Sequence, residues 1–330
     1  MVGVSTLLQH TPDLEPEPEA DLAGPAPRRG RRARRTAPDG ETRTITSAFE
    51  RRRPLTRATR ALLNGGLLVF LIIVCLGPIL WLAKSAITPT QDTLRYPLAL
   101  WPNGTDWENL RTAWVDIDLK LYFWNTVVIA LGSWAVQMVV AVTGGYALSI
   151  LRPRGSRVIY ALVLSTMFVP AVVLLVPLYL TVLDVPFVHW NLVNTFWGAF
   201  LPAGASAFNV AIVKRFFDNL PREIIDAARV DGCGDFRLFF SIVLPMSRPV
   251  LGVVSVFAVL AAWKDFVWPL VVLPDPAKQP LSVRLPRLAA VTELDVVLAA
   301  LLISCALPIV FFVVFQRLFL RGGLEGAVKG

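Results

Sequence analysis

Apolar residues in this chain collect in long runs separated by shorter polar connections. A helix crossing a hydrocarbon core of roughly 30 Å needs about 20 mostly apolar residues. Six stretches meet that requirement: 61–84, 123–150, 158–181, 194–213, 249–273 and 295–316. The fourth is the weakest, because Pro202, Gly204 and Asn209 interrupt it. The pattern predicts an all-α, polytopic membrane protein with six transmembrane helices. Residues 1–57 do not share it. There DLEPEPEAD is acidic and proline-spaced and RRGRRARR is densely cationic, so neither buries enough apolar surface to offset chain entropy. A disordered Arg/Pro-rich tail over 1–57 is therefore expected ahead of a membrane domain over 58–330. Clustered arginine is attracted to an anionic leaflet, so the tail is either a membrane-lipid contact or a solvated arm that helps fix topology. A secretory signal is disfavoured, since the first apolar run starts beyond residue 60 and is too long for one.

Composition and charge sharpen the picture. The 330 residues are 55% hydrophobic and only 17% charged, and 20 of the 56 charged residues fall in the first 60. The remaining body therefore carries charge at roughly half the usual soluble density. Three cysteines (Cys75, Cys233, Cys305) and two histidines (His10, His189) are too few and too scattered for a disulfide framework or a metal cage. The same balance disfavours a nucleic-acid binder and leaves the basic pI to a membrane explanation. Cationic connections are retained in the cytoplasm. Segments 151–157, 214–248 and 317–330 hold 12 Lys and Arg in 56 residues, against 6 in the 70 residues of 86–122, 182–193 and 274–294. With the arginine-rich tail added, both termini are expected in the cytoplasm, which requires an even number of spans.

The longest cytoplasmic connection, 214–248, reads as two short helices around a glycine turn. Asp218 or Asn219 is expected to cap a helix that has Pro221 in its first turn and Glu223 near its positive end. Gly232 suits a left-handed residue that ends it, and Asp235 a cap for a second helix stopped by Pro245. Ile224, Ile225 and Ala228 are expected on one face, with Ala227 and Ala228 keeping the flank small for a close approach. An amphipathic hairpin lying on the membrane would explain the apolar face equally well, but not the spacing.

That spacing, Asp226 Ala227 Ala228, three residues, Gly232, nine residues, Ile242, one residue, Leu244 Pro245, resembles the cytoplasmic EAA loop of bacterial ABC-importer membrane subunits. Asn125 Thr126, Gly145 Tyr146 Ala147 Leu148 with Leu151 Arg152, Pro177 Leu178 Tyr179, and Trp263, Asp265, Phe266, Pro269 and Leu270 are similar to the carbohydrate-uptake branch. Gly326 to Gly330 resembles the tail of the maltose-type second permease. The resemblance implies a multi-pass subunit of the bacterial inner membrane, working with a second permease, two ATPase subunits and an extracytoplasmic sugar-binding protein. It implies that Asp226, Ala227, Ala228 and Gly232 form an ATPase-coupling joint and that Ile242, Leu244 and Pro245 return the chain to the membrane. Three departures stand out: Asp226 is one methylene shorter than the usual Glu, Lys264 replaces the usual Asn, and Asp184 to Trp190 lengthens an external loop.

The chemistry of the chain agrees that energy is borrowed. The sequence contains no G-x4-G-K-[ST] phosphate loop, and Gly232 Cys233 Gly234 is a short glycine cluster with no preceding strand. No nucleophile elbow or metalloprotease motif occurs, so no enzyme activity and no cofactor are expected. Polar residues at membrane depth usually face a bundle interior or a water-filled path, which makes Gln137, Asn209, Lys264 and Asp265 pathway candidates. Gln137 and Asn209 are equally placed to bond across helices. Trp263 is a candidate to stack on a sugar, as is Trp268, although tryptophan also collects at membrane interfaces. Read as part of one continuous helix from Pro249, Lys264 stands roughly 22 Å along it, with Asp265 about 100° round the axis. The competing functions are an ABC permease for a non-sugar solute and a six-span carrier or channel protomer.

Overall fold

The computed structural model describes residues 54–101 and 104–327. The expected tail up to residue 53, Asn103 and the closing Val328, Lys329 and Gly330 lie outside the described residues. Among those described, every regular element is helical, in agreement with the all-α expectation.

In chain order the elements are α1 (Pro54–Ala86), α2 (Thr90–Arg95), α3 (Glu108–Arg111), α4 (Leu119–Tyr146), α5 (Ser156–Ser165), α6 (Ala171–Leu183), α7 (Phe196–Phe200) and α8 (Ala207–Asp218). They continue with α9 (Arg222–Val230), α10 (Asp235–Leu238), α11 (Leu244–Met246), α12 (Arg248–Lys264), α13 (Val267–Val272), α14 (Leu281–Leu288) and α15 (Leu294–Ala327). A π turn over Ala147–Leu151 extends α4, and another over Phe239–Val243 joins α10 to α11. Helix α1 begins at Pro54, inside the segment assigned to the tail.

Three of the six predicted stretches are long apolar helices: α1, α4 with its π turn, and α15. Two more, 158–181 and 194–213, are bent pairs; a third bent pair joins Asp235–Met246, which lies within the 214–248 connection, to Arg248–Lys264, and counting each pair once gives up to six spans by length and composition. The stretch 158–181 is broken where the sequence suggested a straight rod. Pro170 lacks an N–H and forces the preceding residue out of the helical region. Val169 is accordingly extended (φ −85°, ψ 119°), and the helices on either side are bent by 110°. The stretch 194–213 bends by 44° at a tight turn over Leu201–Gly204, after which Ser206 caps α8 by accepting the Asn209 N–H at 3.4 Å. The stretch 249–273 is also interrupted: α12 ends at Lys264, Asp265 is extended (φ −66°, ψ 122°), and the helix resumes as α13. Consequently Lys264 and Asp265 do not share the uninterrupted helix on which their 100° separation was based.

Helix α4 is the centre of the bundle, packed between α8 and α12, and α12 packs in turn on α15. Two glycines let α4 approach its neighbours. A Cβ on Gly145 would stand 2.8 Å from Val213 Cγ1 and 3.1 Å from the Lys214 backbone nitrogen, and one on Gly132 would lie 2.5 Å from the Phe200 ring. Polar bonds then fix the register. Trp134 Nε1 donates to Ser255 Oγ at 2.8 Å, tying α4 to α12. Asn125 Nδ2 donates to the carbonyls of Ala277 (2.8 Å) and Gln279 (3.1 Å), and Thr126 Oγ1 accepts the Leu281 N–H at 2.8 Å. The head of α4 thereby holds the connection between α13 and α14.

Candidate coupling loop and cavity

Between α8 and α12 the chain folds into a hairpin. Pro221, with an extended backbone (φ −56°, ψ 120°), precedes the first residue of α9 and makes no side-chain cap. The expected caps are used elsewhere. Asp218 belongs to the last turn of α8, where it accepts bonds from Lys214 Nζ (2.6 Å) and Ser149 Oγ (2.7 Å), and Asn219 closes that helix. A carboxylate already bound to an ammonium and a hydroxyl is not free to cap the next helix.

The end of α9 follows the sequence expectation closely. Gly232 is left-handed (φ +78°), its N–H bonds to the Arg229 carbonyl at 3.0 Å, and the Cys233 N–H bonds to the Ala228 carbonyl at 2.9 Å. This nested pair is the Schellman arrangement, which satisfies carbonyls that a helix C-terminus otherwise leaves unpaired. Gly234 then precedes α10, so Asp235 is the first helical residue and not the cap. Nor does Pro245 stop the second helix. The π turn closes through the Leu244 N–H to the Phe239 carbonyl, Pro245 follows inside α11, and the chain breaks at Ser247, where α10–α11 and α12 are bent by 78°.

The hairpin has an inner and an outer face. Ile225 and Ala228 are buried, together with Leu220 and Leu238, in a cluster that includes Val213, Phe217 and Val250. Ile224, expected beside them, is exposed, since a residue one position away points about 100° round the helix. The outer face therefore carries Glu223, Ile224, Asp226, Ala227, Val230 and Gly232. Ile242 and Leu244 are half-buried against the cluster, and Pro245 is exposed. Tyr146 fastens the hairpin to α4: its hydroxyl donates to the Asp235 carbonyl at 2.9 Å and its ring meets Phe239 edge-on at 4.8 Å. Its role as this anchor was not legible in the sequence, although the Gly145 Tyr146 pair was noted.

Beside the Asp265 break lies a cavity of about 490 Å³. Its polar lining comprises Ser133, Gln137, Ser206, Lys264, Asp265 and the indole of Trp268. Gln137 and Asn209 are both buried and bonded, with Asn209 Nδ2 donating to Gln137 Oε1 at 2.6 Å. The pair thus joins α4 to α8, while Gln137 also faces the cavity. Asp265 Oδ1 accepts the Trp268 N–H at 3.4 Å, and its carbonyl accepts Ser282 Oγ at 2.6 Å. Trp268 Nε1 donates to the Gly198 carbonyl at 3.1 Å, so its ring is fixed against α7. Lys264 is exposed and takes part in no ion pair among the described residues. Two pathway candidates do not line the cavity: Asn209, buried behind Gln137, and Trp263, which packs edge-on against Phe123 at 6.0 Å in an apolar cluster with Leu119 and Ala299. Ser133 and Ser206 went unremarked in the sequence, where the only signal was a hydroxyl within an apolar run.

Sequence comparison identifies the family of the chain that folds into this bent-helix bundle. The family described as "Binding-protein-dependent transport system inner membrane component" covers residues 141–322. The chain belongs to this family. As an inner-membrane component of that kind it is similar to the diacetylchitobiose uptake system permease protein NgcG of Streptomyces coelicolor, at 29% identity over 78% of this chain and 85% of that protein. It is also similar to the arabinooligosaccharides transport system permease protein AraQ of Halalkalibacterium halodurans, at 29% identity over 79% of this chain and 94% of that one. The fold resembles a chain from the crystal structure of a bacterial ABC transporter involved in the import of the acidic polysaccharide alginate. That likeness has a TM-score of 0.70 at 22% identity, and covers 83% of this inner-membrane component and 99% of that chain. The family match includes the whole 214–248 hairpin together with α8 and α12, and it begins within α4, after Gln137.

Proposed function

We propose that this inner-membrane component forms the translocation path of an ATP-driven carbohydrate importer, paired with a second permease and fed by an extracytoplasmic sugar-binding protein. Two ATPase subunits drive it through the outer face of the α9 hairpin, with Asp226, Ala227 and Gly232 at the joint. Both termini are cytoplasmic. The connectivity supports an alternating-access reading: the hairpin leads into α12 at Ser247, and α12 ends on the cavity at Lys264, followed by Asp265. Closure of the ATPases tilts the hairpin, α12 transmits the tilt, and the cavity opens to the outside; hydrolysis resets it.

The observation that carries this reading is the direct chain connection from the exposed α9 face, through the Gly232 turn, α10–α11 and the 78° corner at Ser247, to α12, whose unbroken length ends on the polar cavity wall. A carbohydrate suits the cavity because hydroxyl, amide and indole groups line it, and sugars present hydroxyls to bond and an apolar ring face to stack. The relatives named for diacetylchitobiose and arabinooligosaccharides support that solute class. The sequence contains no phosphate loop of its own, which supports a partner's ATP hydrolysis as the energy source. The test is uptake by the reconstituted complex, comparing wild type with Asp265→Asn and Asp265→Ala. Altered uptake with normal assembly and ATPase binding is expected. Unchanged uptake in both variants would remove Asp265 from the pathway, and uptake without any ATPase subunit would replace the importer by a carrier.

A further inference from the structure

A second polar cavity, of about 290 Å³, lies away from the translocation cavity. It is lined by Leu148, Arg152, Ser156, Arg157, Tyr160, Lys214 and Asp218, from the end of α4, the start of α5 and the last turns of α8. Three cations face one carboxylate. Asp218 is already committed to Lys214 and Ser149, and Lys214 also stands 4.5 Å from the centre of the Tyr160 ring. The Arg152 guanidinium lies 3.8 Å from the same carboxylate and donates through Nε to the Ser149 carbonyl at 2.7 Å. Arg157 has no acceptor among the described residues. The net surplus is therefore positive, held by arginines at the rim and anchored by a paired lysine at the back.

Two features around the cavity point to one ligand class. Helix α5 starts at Ser156 with Gly155 before it and no side-chain cap; the Ser156 N–H bonds to the Pro153 carbonyl and the Ile159 N–H to the Gly155 carbonyl, both at 3.0 Å, which leaves the Arg157 and Val158 N–H groups of the first turn to an outside acceptor. The next turns of the same helix expose Val158, Ile159 and Leu162, an apolar strip that continues from the cationic mouth. A ligand with an anionic phosphate at one end and hydrocarbon at the other satisfies both. We infer that the Arg152–Arg157–Lys214 cavity binds the phosphodiester headgroup of an anionic lipid, with the acyl chains along α5. The inference goes beyond the transport reading, using only the position of 151–157 at the membrane boundary. Because Asp218 closes α8 immediately before the α9 hairpin, a headgroup there stiffens the mounting of that hairpin without touching its outer face.

The purified full-length chain, stripped of lipid in detergent, is offered phosphatidylglycerol or phosphatidylcholine of the same acyl length, and retained lipid is read by native mass spectrometry. Phosphatidylglycerol is expected to be retained preferentially. Arg152→Gln and Arg157→Gln should each lower that retention about fivefold, the usual effect of one cation near an anionic surface. Arg157→Lys should keep most of it, and Arg154→Gln, outside the cavity, all of it. Equal retention of the two lipids by the wild type, or unchanged retention in both glutamine variants, would overturn the inference. So would full displacement by millimolar inorganic phosphate, which would make this a soluble-anion site. Loss of ATPase co-purification in the glutamine variants with lipid retention unchanged would make the cluster a protein contact instead. If a glutamine variant does not fold, the wild type alone decides: spin-labelled phosphatidylglycerol must be more motionally restricted around it than spin-labelled phosphatidylcholine.

Discussion

Gly232 offers a sharp test of how the hairpin works, because its backbone and its surroundings make separate predictions. The residue sits at φ +78°, and a Cβ built on it meets nothing within 4 Å. Any cost of substitution in the chain itself is therefore conformational and not steric. Holding an L-residue left-handed costs about 1–2 kcal/mol, more for a β-branched side chain and less for asparagine. A penalty of that size shifts the closed fraction of the α9 terminus by a factor of about 5–30. The two bonds that would loosen are Gly232 N–H to Arg229 and Cys233 N–H to Ala228, and with them the angle at which α9 presents its outer face. Gly232→Val should therefore weaken ATPase binding or uncouple hydrolysis from uptake, Gly232→Ala should do so partially, and Gly232→Asn should stay near wild type. The assay is ATPase co-purification followed by uptake and hydrolysis in proteoliposomes, with membrane insertion as the control. Wild-type coupling in Gly232→Val would refute the reasoning outright. Equal damage by Asn and Val would show that side-chain bulk against a partner matters, and not the sign of φ.

Three further outcomes follow. Gly145→Ala should lower the thermal midpoint in detergent, costing about 1–3 kcal/mol through overpacking against Val213 and the Lys214 backbone. Gly144→Ala, whose Cβ would meet Val210 at 3.7 Å, should leave it unchanged or raised, and a reversed order would mean that α4 and α8 are not in close contact. Reporter fusions after Arg154 and Asn219 should behave as cytoplasmic and those after Asp184 and Gln279 as external, and the opposite pattern would invert the topology. The purified chain alone should release no phosphate from ATP and gain transport only with a second permease and ATPase subunits; accumulation of sugar by the chain alone would contradict this.

Long-range apolar content was readable from the chain, and bends were not. The runs that became α1, α4 and α15 are uniformly apolar over more than 20 residues, and such a run has few alternatives to a spanning helix. Pro170 and Asp265 lie inside runs that are equally apolar on average, so a window that averages hydropathy passes over the residue that breaks the rod. The local backbone signal of Gly232 was legible because glycine is the usual residue for that geometry. The caps at Asp218 and Asp235 were misread because a carboxylate serves whichever donor reaches it first, and Lys214 and Ser149 reach Asp218 through the fold. Trp263 and Trp268 are five residues apart, yet one fills an apolar cluster and the other faces the cavity, a difference created by the break between them.

That break also sets a gear ratio. Helix α12 has 17 residues, hence a length of about 25 Å, with proline only at its first turn. Pivoted near the 78° corner at Ser247, a rod of that length turns each 10° of tilt into about 4 Å of travel at its far end. The far end carries Ala261, Ala262 and Lys264, three residues of the cavity wall. Beyond Asp265 the wall is differently mounted, with Trp268 bonded to Gly198 and the Val272 carbonyl to the Asn194 N–H at 2.7 Å. One side of the cavity is thus the tip of a lever and the other a fixed stop. In the transport cycle proposed above, a stroke of a few ångströms at the tip is comparable with the width of a sugar ring, so small angular work at the hairpin would be enough to change what the cavity admits.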